Sequence, residues 1–210
     1  LVIDQNEAIR VVVTANDVDF GEQANLVYSI LSDVDLGLEM VEEADGTHAL
    51  VGAPPNAAAD RDPHAVTLVV TDPNGASDEV VFQLTVNNLN DPCQIVSTPD
   101  GLNIDNQLSV GEDSVFTYNL VATDIDLGLD IAAVEQLTYD ASGVPEWMQL
   151  VDLQNGQATL TIAPTNDHVR EEPWAVRIVV TDGEVSDEQT FSVVVVNEND
   201  APVAEDVDGV

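Results

Sequence analysis

The chain of 210 residues contains no lysine, and its only cationic side chains besides histidine are Arg10, Arg61, Arg170 and Arg177, against 40 acidic residues. A formal net charge of −36 argues against nucleic acid and anionic membrane surfaces as partners, since both would repel it. Cysteine is nearly absent: Cys93 alone permits no internal disulfide and no cysteine-rich zinc site, and it reads as a packed or solvated thiol. No apolar run reaches the roughly 18 residues of a membrane helix, and no signal-peptide pattern opens the chain, so no direct membrane insertion is expected of it. The three histidines, His48, His64 and His168, lack metal-ligand spacing and read as surface residues. Neither a phosphate loop nor a nucleophile elbow is present, and no enzyme is expected.

What is present is an alternation of β-branched and polar residues. Hydrophobic residues make up 44% of the chain, which is not the composition of a disordered acidic polymer. Val66, Leu68 and Val70 are followed by Val80, Phe82, Leu84 and Val86, and later by Val176, Ile178 and Val180, then Phe191, Val193 and Val195. A period of two over five to seven residues predicts half-buried strands. Turn residues punctuate them at Asp45-Gly46, Pro54-Pro55-Asn56, Pro73-Asn74-Gly75, Asn155-Gly156 and Asp182-Gly183. The expected fold is all-β: two tandem Greek-key sandwiches of about seven strands each, arranged end to end.

The division into two comes from an acidic motif set that occurs twice. Asp17-Val18-Asp19-Phe20-Gly21, Thr71-Asp72 and Asn88-Leu89-Asn90-Asp91-Pro92 recur as Asp124-Ile125-Asp126-Leu127-Gly128, Thr181-Asp182 and Asn197-Glu198-Asn199-Asp200. Asp17 and Asp72 lie 55 positions apart, Asp124 and Asp182 lie 58 apart, and the final steps to Asp91 and Asp200 are 19 and 18. The expected modules are 1–91 and 92–200, with 201–210 opening the next linker or repeat and the first strand of 1–91 truncated or formed by residues 1–5. Paired carboxylates in loops between apolar strands suit a hard cation such as calcium, which takes six to eight oxygens. An EF-hand reading of Asp124, Asp126 and Glu135 fails, because Leu129 stands where the loop glycine belongs.

The stretch from Thr14 to Ile30, with Asp17-Val18-Asp19, Gly21, Asn25 and Tyr28, resembles the cadherin pattern. Asp60-Arg61-Asp62, Val69-Val70-Thr71-Asp72 and Asn88-Leu89-Asn90-Asp91 are similar to further cadherin elements. The second module looks more like the dystroglycan-type cadherin-like repeat, through Leu137-Thr138-Tyr139, Val144-Pro145-Glu146-Trp147-Met148, Ala163-Pro164-Thr165-Asn166 and Val179-Val180-Thr181-Asp182-Gly183. The resemblance implies a junction that binds calcium through Asp60, Asp62, Asn88, the carbonyl of Asn90, and Asp91 of the first module. Glu112, Asp124, Asp126 and Asp182 of the second would complete it, Glu112 being the incoming glutamate. Weaker half-sites would be Asp17, Asp19 and Asp72, whose own incoming glutamate position is contested by Asp4, Gln5 and Glu7, and Asn197, Asn199 and Asp200. Asp33-Val34-Asp35-Leu36-Gly37 copies the second module's motif but lies only 39 positions before Asp72, so it is expected to be a solvated turn.

The function implied is that of calcium-stiffened repeats of an extracellular or cell-surface adhesin of bacterial type, whose partners are neighbouring repeats of the same chain. The alternative is a module of a secreted protein that recognises polysaccharide, or an identical surface protein, in a calcium-dependent way. Trp147 and Trp174 would carry a sugar platform in that case, but tryptophan in a sandwich is more often core.

Overall fold

In the computed structural model the described residues are 1–18, 25–60, 63–129 and 136–203, the side chain of Asp60 excepted. The chain divides into two compact units, Leu1–Asp91 with Gly128–Val134, and Pro92–Leu127 with Glu135–Val210. Nearly all regular structure is strand.

The first unit contains β1 (Val2–Asp4), β2 (Ile9–Val13), β3 (Val27–Ser32), β4 (Leu38–Glu42), β5 (His48–Gly52), β6 (His64–Thr71) and β7 (Ser77–Asn87). One sheet has the order β1-β7-β6-β3 and the other β2-β5-β4. Among the described residues only β1 pairs in parallel, laying Asp4 beside Asn87 at the end of β7. The buried residues Ile3, Leu36, Ala58, Ala59, Val66, Leu84 and Val86 form the core between the sheets.

The second unit repeats this plan with β8 (Gln94–Ile95), β9 (Gln107–Gly111), β10 (Phe116–Thr123), β11 (Thr138–Asp140), β12 (Met148–Gln154), β13 (Gln157–Ile162), β14 (Trp174–Thr181) and β15 (Ser186–Val196). Its sheets are β12-β13-β10-β8 and β11-β14-β15-β9, and again one strand, β9, runs parallel to its neighbour β15. The alternation expected of Val176, Ile178 and Val180 is realised in β14, which buries all three, and β10 turns Tyr118, Leu120 and Ala122 inward as well. This core is the larger of the two, with Leu160, Ile162, Phe191 and Val193 also buried. Each fully buried aliphatic side chain contributes about 1.5–3 kcal/mol of transfer free energy.

The expected turn at Asn155-Gly156 is a two-residue hairpin between β12 and β13. Both residues have positive φ, 52° and 74°, as a type I′ turn requires, and Gln154 pairs with Gln157 across it. The Gly156 carbonyl accepts hydrogen bonds from the Ala122 amide at 2.7 Å and the Tyr139 hydroxyl at 3.0 Å, tying the turn to the other strands of its unit.

One histidine differs from the expected surface position, and the other two are half-buried. His64 is only 2% exposed, and its ring is held between the Ala58 carbonyl and Asp33, because the short 3-10 turn Asn56–Asp60 folds over it. His48 stacks on Tyr28 and His168 on Trp147, so ring contacts draw both inward from the surface. Asp35 is exposed and caps its own turn by accepting from the Gly37 amide at 2.9 Å.

Candidate metal sites at the module ends

Each unit presents acidic groups at two ends, separated by the length of its longest strand. In the second unit β15 carries Ser186, paired with Thr181, at one end and Val196, paired with Gly111, at the other. Ten residue steps at about 3.3 Å place those ends roughly 33 Å apart. The end bearing the β14–β15 hairpin is here called the incoming end, and the end from which β15 exits the outgoing end.

At the incoming end of the second unit the structure brings Asp124, Asp182 and Cys93 together, with one ligand atom of each within 4.8 Å of the others. The hairpin explains Asp182: its Oδ1 accepts from the Glu184 and Val185 amides, both at 2.7 Å, so one carboxylate oxygen is committed to the turn. Asp124 likewise accepts from the Asp126 amide at 2.8 Å, and Asp126 is itself 1% exposed. Cys93 is 4% exposed beside Ala122, Leu137 and Val180. Burial first, then the negative charge of Asp182, pushes its thiol above its ordinary range, which keeps the sulfur protonated among the carboxylates. Sequence reasoning gave Cys93 no place in this set. Its nearness follows from the pairing of β8 with β10 and has no short sequence signature.

The first unit's incoming end places Asp17 and Asp72 in the lining of one surface groove with Asn16 and Asp78. Asp72 repeats the behaviour of Asp182, its Oδ1 accepting from the Asn74 and Ala76 amides. Asp19 lies outside the described residues, as does Asp62.

The outgoing ends show the clearest correspondence between the units. The Gln5 amide donates to the Asn87 carbonyl at 3.0 Å, and the Glu112 amide to the Val196 carbonyl at 2.9 Å. The next residues, Asn6 and Asp113, both have φ near +60° and donate to the carbonyls of Pro54 and Pro164. Side chains follow suit: Gln5 Oε1 accepts from the Leu89 amide, and Glu112 Oε1 from the Glu198 amide. Asn56 Nδ2 donates to Asp91 Oδ2 at 2.9 Å, and Asn166 Nδ2 to Asp200 Oδ2 at 2.9 Å.

The expectation that Glu112 joins Asp124, Asp126 and Asp182 is therefore corrected. Parallel pairing of β9 with β15 carries Glu112 to the outgoing end, beside Glu198, about a strand length from Asp124 and Asp182. The spacing of twelve residues before Asp124 was misleading because β10 runs the length of the sandwich between them. The first unit's counterpart is Gln5, among the three contested positions. Asn56 and Asn166 were missed as members of the set, although Ala-Pro-x-Asn occurs at 53–56 and again at 163–166.

The remaining expected residues fall as follows. Asn88, Asn90 and Asp91 leave β7 at the first unit's outgoing end, with Asn88 Oδ1 buried and not hydrogen-bonded among the described residues. Asn90 Nδ2 donates to the Asp91 carbonyl, and Asn199 Nδ2 to the Asp200 carbonyl. Asn197 Nδ2 donates to the Glu198 carbonyl. Asp60 closes the turn begun by Asn56, its side chain outside the description.

A hard cation fits this donor chemistry. Glu112 is 2% exposed, and its Oε2 has no hydrogen-bond partner among the described residues. Leaving a charged acceptor buried and unsatisfied costs about 1–3 kcal/mol or more, which a bound cation would offset. The other groups at that end, the carboxylate of Asp200 and the side chain of Asn197, also offer oxygen, as calcium requires.

Trp147 and Trp174 both pack against the second unit's core. His168 stacks on Trp147 with ring centroids 4.3 Å apart, and Arg170 lies over Trp174 at 3.5 Å from the ring centroid. One face of each indole is thereby occupied.

No protein-family model matches the chain, and no curated protein matches it. Among solved structures it is similar to the human desmocollin-1 ectodomain at 12% identity and a TM-score of 0.49, covering 95% of this chain and 40% of that one. The extracellular domain of protocadherin GammaB4 gives 19% identity and 0.48, covering 92% of this chain and 33% of that one. Titin domains z1z2, solved in complex with telethonin, give 15% identity and 0.41, covering 95% and 93%. The chain thus spans well under half of the two cadherin chains. The sandwich fold itself rests on the strand order and cores described above. Among the described residues no helix is long and apolar enough to cross a membrane.

Proposed function

We propose that this chain is a pair of calcium-binding repeats of an extracellular adhesin-like protein, with a mechanical and not a catalytic role. The observation that carries the reading is the buried Glu112 Oε2, without a hydrogen-bond partner among the described residues, within an outgoing-end geometry that recurs in both units. In this reading each outgoing set takes calcium together with the incoming set of the repeat that follows it in the chain. For the first unit that set is Asn88, Asn90 and Asp91 with Asp60 and Asp62, joined by Asp124, Asp126 and Asp182. For the second it is Glu112, Asn197, Asn199 and Asp200. Bound calcium neutralises carboxylates that otherwise repel one another and restricts the linker, so less entropy is lost when a distal region adheres. Polysaccharide recognition draws little support from the tryptophans, one face of each being engaged by His168 or Arg170 and both packing on the core.

The test is a calcium titration followed by calorimetry and small-angle scattering. Calcium should raise the unfolding temperature and narrow the distribution of chain dimensions, and Asp91→Ala or Asp126→Ala should diminish both responses. Indifference to calcium and chelator, or full substitution by monovalent salt, would refute the reading.

A further inference from the structure

The two outgoing ends share a backbone but differ in one buried side chain. Glu112 in the second unit leaves Oε2 without a partner among the described residues, whereas Gln5 in the first, 4% exposed, engages both its amide donor positions and its Oε1 internally. Gln5 Nε2 donates to Asp91 Oδ2 at 2.8 Å and to the Leu89 carbonyl at 3.1 Å, while its Oε1 accepts from the Leu89 amide at 3.2 Å. Asn56 Nδ2 donates to the same Asp91 Oδ2. Two amide donors thus converge on one carboxylate oxygen of the residue expected to meet the cation. Among the described residues the second unit has only the Asn166 side-chain donor at Asp200, and it has a second carboxylate, Glu198, where the first unit has Leu89.

We propose that Gln5 is the affinity-setting residue of the first unit's outgoing end: its amide occupies Asp91 in place of a cation, making that end the weaker calcium site and holding it together when calcium is absent. This rests on the reading of the outgoing ends as calcium half-sites. A cation reaching Asp91 must displace the Gln5 and Asn56 hydrogen bonds, and it finds a neutral amide where the second unit offers a carboxylate. Fewer ligand charges mean weaker calcium binding. The first unit is therefore tuned to respond at a higher calcium concentration than a glutamate at position 5 would allow.

The experiment is calorimetric calcium titration and thermal unfolding of the full 210-residue chain as wild type, Gln5→Glu and Gln5→Met. Gln5→Glu should tighten calcium binding by about tenfold or more and lower the unfolding temperature in chelator. Gln5→Met, of similar volume but unable to donate, should also lower the unfolding temperature in chelator while leaving calcium binding as tight or tighter. A purely structural glutamine predicts the opposite for Gln5→Met, with calcium affinity falling along with stability. If wild type binds calcium and neither variant tightens it, the inference is overturned while the calcium reading stands. If neither wild type nor Gln5→Glu binds calcium, both fall.

Discussion

Replacing Glu112 by glutamine gives opposite effects with and without calcium. The native carboxylate is 98% removed from solvent, with Oε1 accepting from the Glu198 amide at 2.6 Å and Oε2 unpartnered. Glutamine keeps the Oε1 acceptor and removes the buried negative charge, so in chelator the variant should recover part of the roughly 1–3 kcal/mol that an unsatisfied charged acceptor costs. The new amide N–H groups need acceptors of their own, and the Glu198 carboxylate lies against Gly111 next door. A net gain of about 1 kcal/mol is expected, which for a domain of this size raises the midpoint by about 4 °C or more. With saturating calcium the order reverses, because the variant has lost a charged ligand and the wild type gains binding free energy in proportion to the logarithm of calcium concentration. Differential scanning calorimetry in chelator and in a calcium series, following the second unit's transition, reads both signs. A variant less stable than wild type in chelator, or one stabilised by calcium as strongly as wild type, would refute the reasoning.

Gly156→Ala should destabilise the second unit by about 2–4 kcal/mol, since an L side chain at positive φ costs about 1–2 kcal/mol and each backbone hydrogen bond lost about 1 kcal/mol. Its Cβ would lie 2.3 Å from the Ala122 carbonyl oxygen, forcing apart the turn that accepts from Ala122 and Tyr139; denaturant unfolding measures the change. The Cys93 thiol is raised above its ordinary 9.0 by burial and by Asp182 and Asp124, so the folded state holds its proton more tightly than the unfolded state. That contribution to stability is complete below the unfolded value and is lost as pH rises through the folded one. The unfolding temperature should therefore fall above about pH 9 more steeply in wild type than in Cys93→Ala. Calcium at Asp124 and Asp182 should bring the thiol's titration, followed by thiolate absorbance, back toward its ordinary value.

The strand pattern was legible because it depends on neighbours two residues apart. Val176, Ile178 and Val180, or Tyr118, Leu120 and Ala122, must share a face in any strand, and the structure buries them all. Turns with strong local chemistry, such as Asn155-Gly156, were equally plain, since the type I′ dihedrals select those residues. The recurring order of Asp motifs marked two modules of one plan without reference to any fold.

Which carboxylates meet at an end is a different kind of fact. Glu112 precedes Asp124 by twelve residues in the chain, yet β10 runs the length of the sandwich and carries them to opposite ends. Parallel pairing of β9 with β15 and of β1 with β7 set Glu112 beside Glu198 and Gln5 beside Asp91. Those meetings depend on strand register between segments more than 80 residues apart, which no local pattern encodes. The same is true of Cys93 beside Asp182. The sequence by itself determined the strands, the turns and the duplicated acidic vocabulary, because local sterics and hydrophobic period are properties of short segments. Only the tertiary structure decided that the acids sort into incoming and outgoing sets, and that one of those sets is closed by an amide where its counterpart buries a charge.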